Sequence, residues 1–286
     1  MDSTTDPGDS VLRAMADDGS FRVVVASTTH TVRGAASAQS ATGEMARHFG
    51  DLLTGAVLVR ETMAPGLRVQ GIVKGPSRAG ALVADAHPDG TSRGLVQAHK
   101  EASLIVAPGA VMQVMRSLPN GALHQGYVEL PSAGVSAALM EYMQQSEQVE
   151  SVIAVGTLLT EGGVTAAGGY VVQLLPEAHR DALARMTERL AQLAPIDELL
   201  KSRRALPRRL VAELFASMEH TILEEKPLRF GCNCSHARVL AGLRTIGTVE
   251  IRAMREENKT FDITCDYCKS DYRVSPADLD SILGLN

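Results

Sequence analysis

FGCNCSHARVLAGLRTIGTVEIRAMREENKTFDITCDYCKSDY, residues 230–272, holds all four cysteines of this 286-residue chain. Cys232 and Cys234 are separated by one residue, Cys265 and Cys268 by two, and 30 residues lie between the pairs. Zinc takes four ligands tetrahedrally, and four thiolates are a common structural set. A C-x-x-C turn lets two sulfurs converge on one ion, and C-x-C in an extended or irregular segment does the same. Soft thiolates select zinc over magnesium or calcium, with iron–sulfur ligation as the metal alternative. The spacing predicts one zinc ion per chain, held by Cys232, Cys234, Cys265 and Cys268.

The elements around these residues belong to a small unit at residues 230–286. Ser235 has the position of a cap for a helix running to about Thr245, and a second helix is expected over Thr248–Glu257. Phe261–Thr264 is β-like and leads into Cys265. Ser275-Pro276-Ala277-Asp278 has the form of a helix start, with Ser as N-cap, Pro at the first helical position and Asp three residues after the cap. It opens a final helix through Leu283. About 57 residues with so little apolar content make a marginal core, and a structural metal supplies the missing stability.

Spacing alone leaves the purpose of the site open. One reading is a closed ribbon that holds the unit together. The other is a redox switch, because peroxide attacks thiolates and sulfenic acids condense with a neighbouring thiol. Four cysteines allow three pairings. Short-range closure favours Cys232–Cys234 and Cys265–Cys268 once the metal has left. Arg229, His236 and Arg238 lie near the first pair in sequence, either as groups that tune the thiolates or as ordinary solvated residues.

Upstream, residues 1–176 alternate short β-like runs with a few helical ones. FRVVVAS (Phe21–Ser27) reads as a strand, and Ala35–Val59 as one long helix. Strands are expected at Leu67–Lys74, Ala81–Ala86, Gly94–His99, Ala110–Arg116 and Leu123–Leu130, separated by Gly, Pro and Asn. Val135–Gln145 reads as a helix with Leu139, Tyr142 and Met143 on one face. Two further strands are expected at Ser151–Leu159 and Thr165–Leu175. The short spacing favours antiparallel pairing, so the class is α+β: a mixed sheet-and-helix N-terminal domain.

Residues 177–229 differ in character. They contain 10 Lys/Arg and 9 Asp/Glu, so about 36% are charged against 21% for the chain. Leu183, Met186, Leu190 and Leu193, then Leu206, Leu210, Leu214 and Phe215, recur at helical spacing, punctuated by Pro195, Pro207 and Pro227. This stretch is expected to be a charged helical linker of two or three short helices. Such helices take their stability from packing, so the linker should open more easily than the sheet domain.

Composition excludes several roles. A net charge of −5 and 3% aromatic residues argue against nucleic-acid binding by a basic face or by base stacking. No apolar run approaches the ~20 residues of a membrane span. MDSTTDPGDS at the start has no positive n-region and no apolar h-region, so a secretory signal is not expected and the cytoplasm is the expected compartment. Gly162-Gly163 and Gly168-Gly169 match no phosphate-loop pattern and are expected as turns or strand bends. Neither H-E-x-x-H nor G-x-S-x-G occurs, and no enzyme activity is expected. The cysteines admit two other roles. A constitutive zinc-ribbon binding module would want a basic face, yet residues 232–286 carry 7 Lys/Arg against 8 Asp/Glu. A thiol oxidoreductase built on Cys265-Asp266-Tyr267-Cys268 would want a βαβ context, which is lacking.

FGCNCS (Phe230–Ser235) together with CDYCKSDY (Cys265–Tyr272) resembles the redox-regulated 33-kDa heat-shock chaperonins (heat shock protein 33). LRVQGIVKGPSRAGALVADAHPDG (Leu67–Gly90), SEQVESVIAVGTLL (Ser146–Leu159), AAGGYVVQLLPEA (Ala166–Ala178) and PIDELL (Pro195–Leu200) extend the resemblance over nearly the whole chain. It diverges at His99–Pro108 and at Ser235-His236-Ala237-Arg238. The resemblance implies an ATP-independent holdase chaperone, inactive while reduced and zinc-bound. It implies oxidation of the four cysteines to two disulfides, zinc release, unfolding of the linker and C-terminal unit, binding of unfolding client proteins, and a homodimer in the active form.

Overall fold

Short apolar runs set most of the strands, near-continuous where a strand is buried on both faces, as Val23, Val24, Val25 and Ala26 are. SVLRAMA forms β1 (Ser10–Ala16) and FRVVVAS forms β2 (Phe21–Ser27), an antiparallel pair with Leu12 opposite Val25. The computed structural model describes residues 8–98, 105–132, 134–216 and 218–285. Its contacts divide the chain into two compact units, Met1–Phe230 and Gly231–Asn286.

Two helices follow β2: α1 (Thr29–Ala38) and α2 (Gly43–Glu61). The single helix expected across Ala35–Val59 is thus two. Ser40 and Gly43 adopt left-handed backbone, with φ of 50° and 54°, and a right-handed helix cannot propagate through such residues. Next come β3 (Val69–Lys74), β4 (Gly80–Ala86), β5 (Thr91–Ala98), β6 (Val111–Ser117) and β7 (Leu123–Glu129). The expected end of β5 at His99, and most of the divergent stretch after it, lie outside the described residues. Helix α3 (Val135–Gln145) and strands β8 (Ser151–Thr160) and β9 (Gly163–Leu174) complete this part.

The stretch 177–229 contributes α4 (Arg180–Gln192), α5 (Ile196–Lys201), α6 (Pro207–Phe215) and β10 (His220–Pro227), and β11 (Arg229–Phe230) closes the first unit. Three helices were within expectation. Strand β10 was not: HTILEEKP pairs antiparallel with β1, Ser10 opposite Pro227. One sheet has the order β10-β1-β2-β9-β8 and is antiparallel throughout. The other has the order β11-β5-β4-β3-β6-β7, antiparallel except for the two-residue β11 beside β5.

Helix α2 lies between the two sheets and touches strands of both. Its apolar residues therefore run round most of its circumference, as in a helix with no solvent face. Phe49, Leu53, Leu58 and Val59 are buried on it, joined by Leu82, Met112, Tyr142 and Val171 from the surrounding elements. The second core lies on the opposite face of the five-stranded sheet. Leu12, Phe21, Val23 and Val25 meet Leu199, Leu210, Leu214 and Phe215 there. Those last four side chains have no solvent exposure, worth roughly 6–12 kcal/mol of gross burial before chain entropy is subtracted. On α4 it is Ala182 and Met186 that are buried, while Leu183 stays 44% exposed.

Gly163 sits in the β8–β9 turn at φ 101°. Gly169 is mid-strand and not a turn: a Cβ there would stand 2.4 Å from the Ala154 carbonyl oxygen. It permits close backbone approach between β8 and β9.

The second unit comprises α7 (His236–Leu243), a 3-10 turn (Arg244–Ile246), α8 (Thr248–Glu256), β12 (Phe261–Thr264), β13 (Asp271–Val274) and α9 (Pro276–Leu283). The Ser275 hydroxyl accepts from the Asp278 N–H while the Asp278 carboxylate accepts from the Ser275 N–H, a capping box. Among the described residues its buried core is Ile251, Val274 and Leu279. So small an apolar core barely offsets chain entropy.

Candidate metal centre

Both cysteine pairs stand where regular structure stops. Cys232 and Cys234 lie in the extended segment between β11 and α7, and Ser235 then caps α7 by accepting from the Arg238 N–H. Cys265 and Cys268 form the turn joining β12 to β13. The Cys265 N–H donates to the Ser270 carbonyl at 2.8 Å, and the Lys269 N–H donates to the Cys265 carbonyl at 2.8 Å. Lys269 takes left-handed backbone at φ 59°, which turns the chain back into β13. This CxxC is a hairpin turn, outside any βαβ unit.

The four Sγ atoms all lie within 4.8 Å of one another. Cys232 Sγ is 3.8 Å from Cys265 Sγ, and Cys234 Sγ is 3.3 Å from Cys268 Sγ. A tetrahedral zinc–thiolate centre, with bonds of about 2.3 Å, has sulfur–sulfur edges of about 3.8 Å. The donor set and its spacing fit a zinc-sized soft cation. All four cysteines are free thiols here. Proximity does not select a disulfide pairing, because the closest contacts run between the half-sites while every sulfur remains within reach of the others.

The electrostatics favour a cation as well. Burial, reinforced by hydrogen bonds with neighbouring thiols, pushes the Cys234 thiol up to about 12, and burial also raises Cys265. Cys268 goes the other way, to about 6: burial raises it, but hydrogen bonds with the Ser270 side chain and backbone, together with those to the Cys234 and Cys265 sulfurs, outweigh that. Four thiols this close cannot all ionise unaided. A bound metal replaces their protons and neutralises the thiolates.

A residue that spacing did not single out completes the centre. The Tyr272 hydroxyl donates to Cys234 Sγ at 3.0 Å. Tyr272 belongs to β13, whose register beside β12 places it opposite Ile263. Arg229, His236 and Arg238 make their contacts with groups other than the sulfurs. His236 Nε2 is 3.0 Å from the Arg273 carbonyl, Arg238 donates to the Asn233 carbonyl at 3.0 Å, and Arg229 faces Asp89 at 3.9 Å in the first unit.

The Hsp33 protein family model matches residues 9–275. The 33 kDa chaperonin of Syntrophotalea carbinolica is 31% identical, covering 96% of this chain and 99% of its own length. That of Synechococcus elongatus is 30% identical over 96% of this chain and 97% of its own. Among solved structures, the 33 kDa chaperonin (heat shock protein 33 homolog) of Thermotoga maritima superposes with a TM-score of 0.82, covering 97% of this chain and 98% of that one at 21% identity. A match of this extent, with the four thiolates gathered in one place, makes the chain a member of the Hsp33 family.

Proposed function

We propose that this chain is a redox-regulated, ATP-independent holdase chaperone. Four sulfurs within 4.8 Å, in a unit whose buried core among the described residues is three side chains, are the observation that carries this reading. Family membership supports the chaperone role. In the reduced form Cys232, Cys234, Cys265 and Cys268 hold one zinc ion, and the binding free energy folds residues 231–286. Oxidation pairs Cys232 with Cys234 and Cys265 with Cys268. Each disulfide forms with loss of two electrons, so two peroxide molecules accept four electrons and, with four protons, become four waters. The thiolates that held the metal are then gone, and so is the stability it supplied.

Residues 177–229 are the second moving part. Their helices cover the apolar face formed by Leu12, Phe21, Val23 and Val25. Opening of this segment presents apolar surface to unfolding client proteins, and two opened chains pair as a homodimer. The chain acts without enzymatic turnover, in the cytoplasm, and without nucleic acid or membrane as partner. No helix among the described residues is long and apolar enough to cross a membrane.

The test is to treat reduced protein with peroxide at mild heat, follow zinc with a chromogenic chelator, and assay aggregation of a denatured client. Release of about one zinc per chain with a gain in aggregation suppression is expected. Retained zinc with no gain overturns the reading.

A further inference from the structure

A cavity of about 340 Å³ opens in the first unit where the α5–α6 turn meets β9 and the start of α1. That volume lies within the range of small-molecule sites. Arg33, Lys201 and Arg203 line it, with His30 beside them, in a chain whose net charge is −5. Among the described residues its one acidic lining residue is Asp9, which is 5% exposed and already accepts from the His30 N–H, the Thr31 N–H and the Thr31 hydroxyl. Among the described lining residues the cations Arg33, Lys201 and Arg203 therefore outnumber the acidic groups.

The three cations are not equivalent to their neighbours. Arg204 and Arg189 both pair with Glu213, and Arg208 pairs with Glu225. Among the described residues Lys201 and Arg203 have no acidic partner. Arg33 is anchored: its Nε and one Nη donate to the Val164 carbonyl at 3.2 and 3.1 Å. Three of its five N–H donors remain free of that contact. The wall between the charges is apolar, with Leu158, Leu200 and Leu206, and the Ser27 and Thr165 hydroxyls add short polar groups.

Arg203 is also placed against conformational preference. The Arg204 N–H bonds the Leu199 carbonyl and the Arg203 N–H bonds the Leu200 carbonyl, which is the Schellman pattern at the end of α5. Arg203 occupies its left-handed position at φ 54°, where glycine is the least strained residue. A guanidinium stands there at a conformational cost.

We propose that this cavity binds a small organic phosphate. Two guanidiniums and an ammonium suit a dianion, and guanidinium geometry matches phosphate oxygens. The apolar wall takes the organic part. Because the site joins the α5–α6 turn to the sheet, bound ligand holds residues 196–206 against the core. A ligand that binds only this closed arrangement lowers the open population about tenfold at ten times its Kd. That consequence rests on the reading of 177–229 as the opening segment; binding itself does not.

The experiment uses full-length, reduced, zinc-replete protein titrated calorimetrically at constant ionic strength with glucose 6-phosphate, inorganic phosphate and glucose. Saturable binding of glucose 6-phosphate is expected, about tenfold weaker binding of inorganic phosphate, and none of glucose. Arg203→Gly should weaken glucose 6-phosphate binding at least about tenfold while leaving the unliganded Tm unchanged or higher, because glycine relieves the left-handed strain. A site that merely needed structural integrity would not separate those two readouts. Lys201→Ala, on an exposed side chain, gives an independent loss, and Arg273→Ala in the second unit should change nothing. Ligand should also slow amide exchange at residues 203–205. Absence of saturable binding, equal binding of glucose, equal affinity for the two phosphates, or an Arg203→Gly variant within about twofold of the parent overturns the proposal. None of these readouts requires oxidation, so failure here is separable from failure of the redox reading.

Discussion

Lys226 Nζ on the last long strand of the first unit lies 2.8 Å from Oε1 of Glu61, a carboxylate 1% exposed at the end of α2. Arg60 Nη1 meets the same oxygen at 3.0 Å, and Arg13 Nε approaches Oε2 at 4.0 Å. One buried carboxylate thus ties β10 and β1 to the central helix. Removing its charge leaves desolvated cations behind, a change that costs about 3–5 kcal/mol in buried pairs. Glu61→Gln should destabilise the first unit by about 3 kcal/mol. Hydrogen exchange should show the loss first at residues 220–227. Uniform acceleration across the sheet would contradict this.

Cys232→Ser should abolish stoichiometric zinc binding and unfold residues 231–286 while strands β2–β9 keep their protection. Thiolate sites in small domains supply about 10–16 kcal/mol of apparent binding free energy, far more than Ile251, Val274 and Leu279 provide by burial. Metal analysis and limited proteolysis of the variant check it. A folded, metal-free C-terminal unit is the contrary outcome.

Tyr272→Phe removes one hydroxyl, the donor to Cys234 Sγ. Outer hydrogen bonds to metal ligands are typically worth about 10–100-fold in affinity. The variant should lose zinc to a competing chelator at correspondingly lower chelator concentration and oxidise faster in peroxide. The fold of β12–β13 should persist, because the aromatic ring is retained.

Two carboxylates give opposite pH dependences. Burial pushes Asp51 up from 3.8 to about 7, partly offset by Thr157 and Arg47 and reinforced by Asp197. The native state then holds a proton that the unfolded state has released. Stability falls as pH rises from about 4 to 7, by about 2–4 kcal/mol. Asp51→Asn should remove that decline and leave the protein more stable than the parent at pH 8. Asp85 is fully buried, and burial raises it, but hydrogen bonds from His87 and Arg68 outweigh this and hold it at about 2. Its contribution of about 2 kcal/mol is present above pH 4 and lost as pH falls toward 2. Asp85→Asn should therefore cost stability at pH 7 and very little at pH 2. Urea unfolding across pH measures both.

The strands and the site were legible to different degrees for physical reasons. FRVVVAS is a short β-branched apolar run and VSAALMEYMQQ carries a helical period, and each folds as its pattern predicts. The Ala35–Val59 pattern hid its break because Ser40 and Gly43 interrupt backbone geometry without interrupting hydropathy. Strand β10 was hidden by its charges. Glu224, Glu225 and Lys226 look like a solvated helix face until Arg13, Arg208 and Glu61 are found beside them. The four cysteines needed no fold to be recognised, since thiolate chemistry marks them in any order. Tyr272 did need it, because only the β12–β13 register brings its hydroxyl to a sulfur.

The place of α2 between both sheets has a kinetic consequence. The first unit closes by pairing β1 with β10, Ser10 against Pro227, so its contact order is high and its assembly slow. The second unit closes by pairing Phe261 with Val274, a local event. Local pairing is fast. The chain therefore separates two clocks: after each loss its small unit can re-form by local pairing, without repeating the slow long-range closure of the first unit.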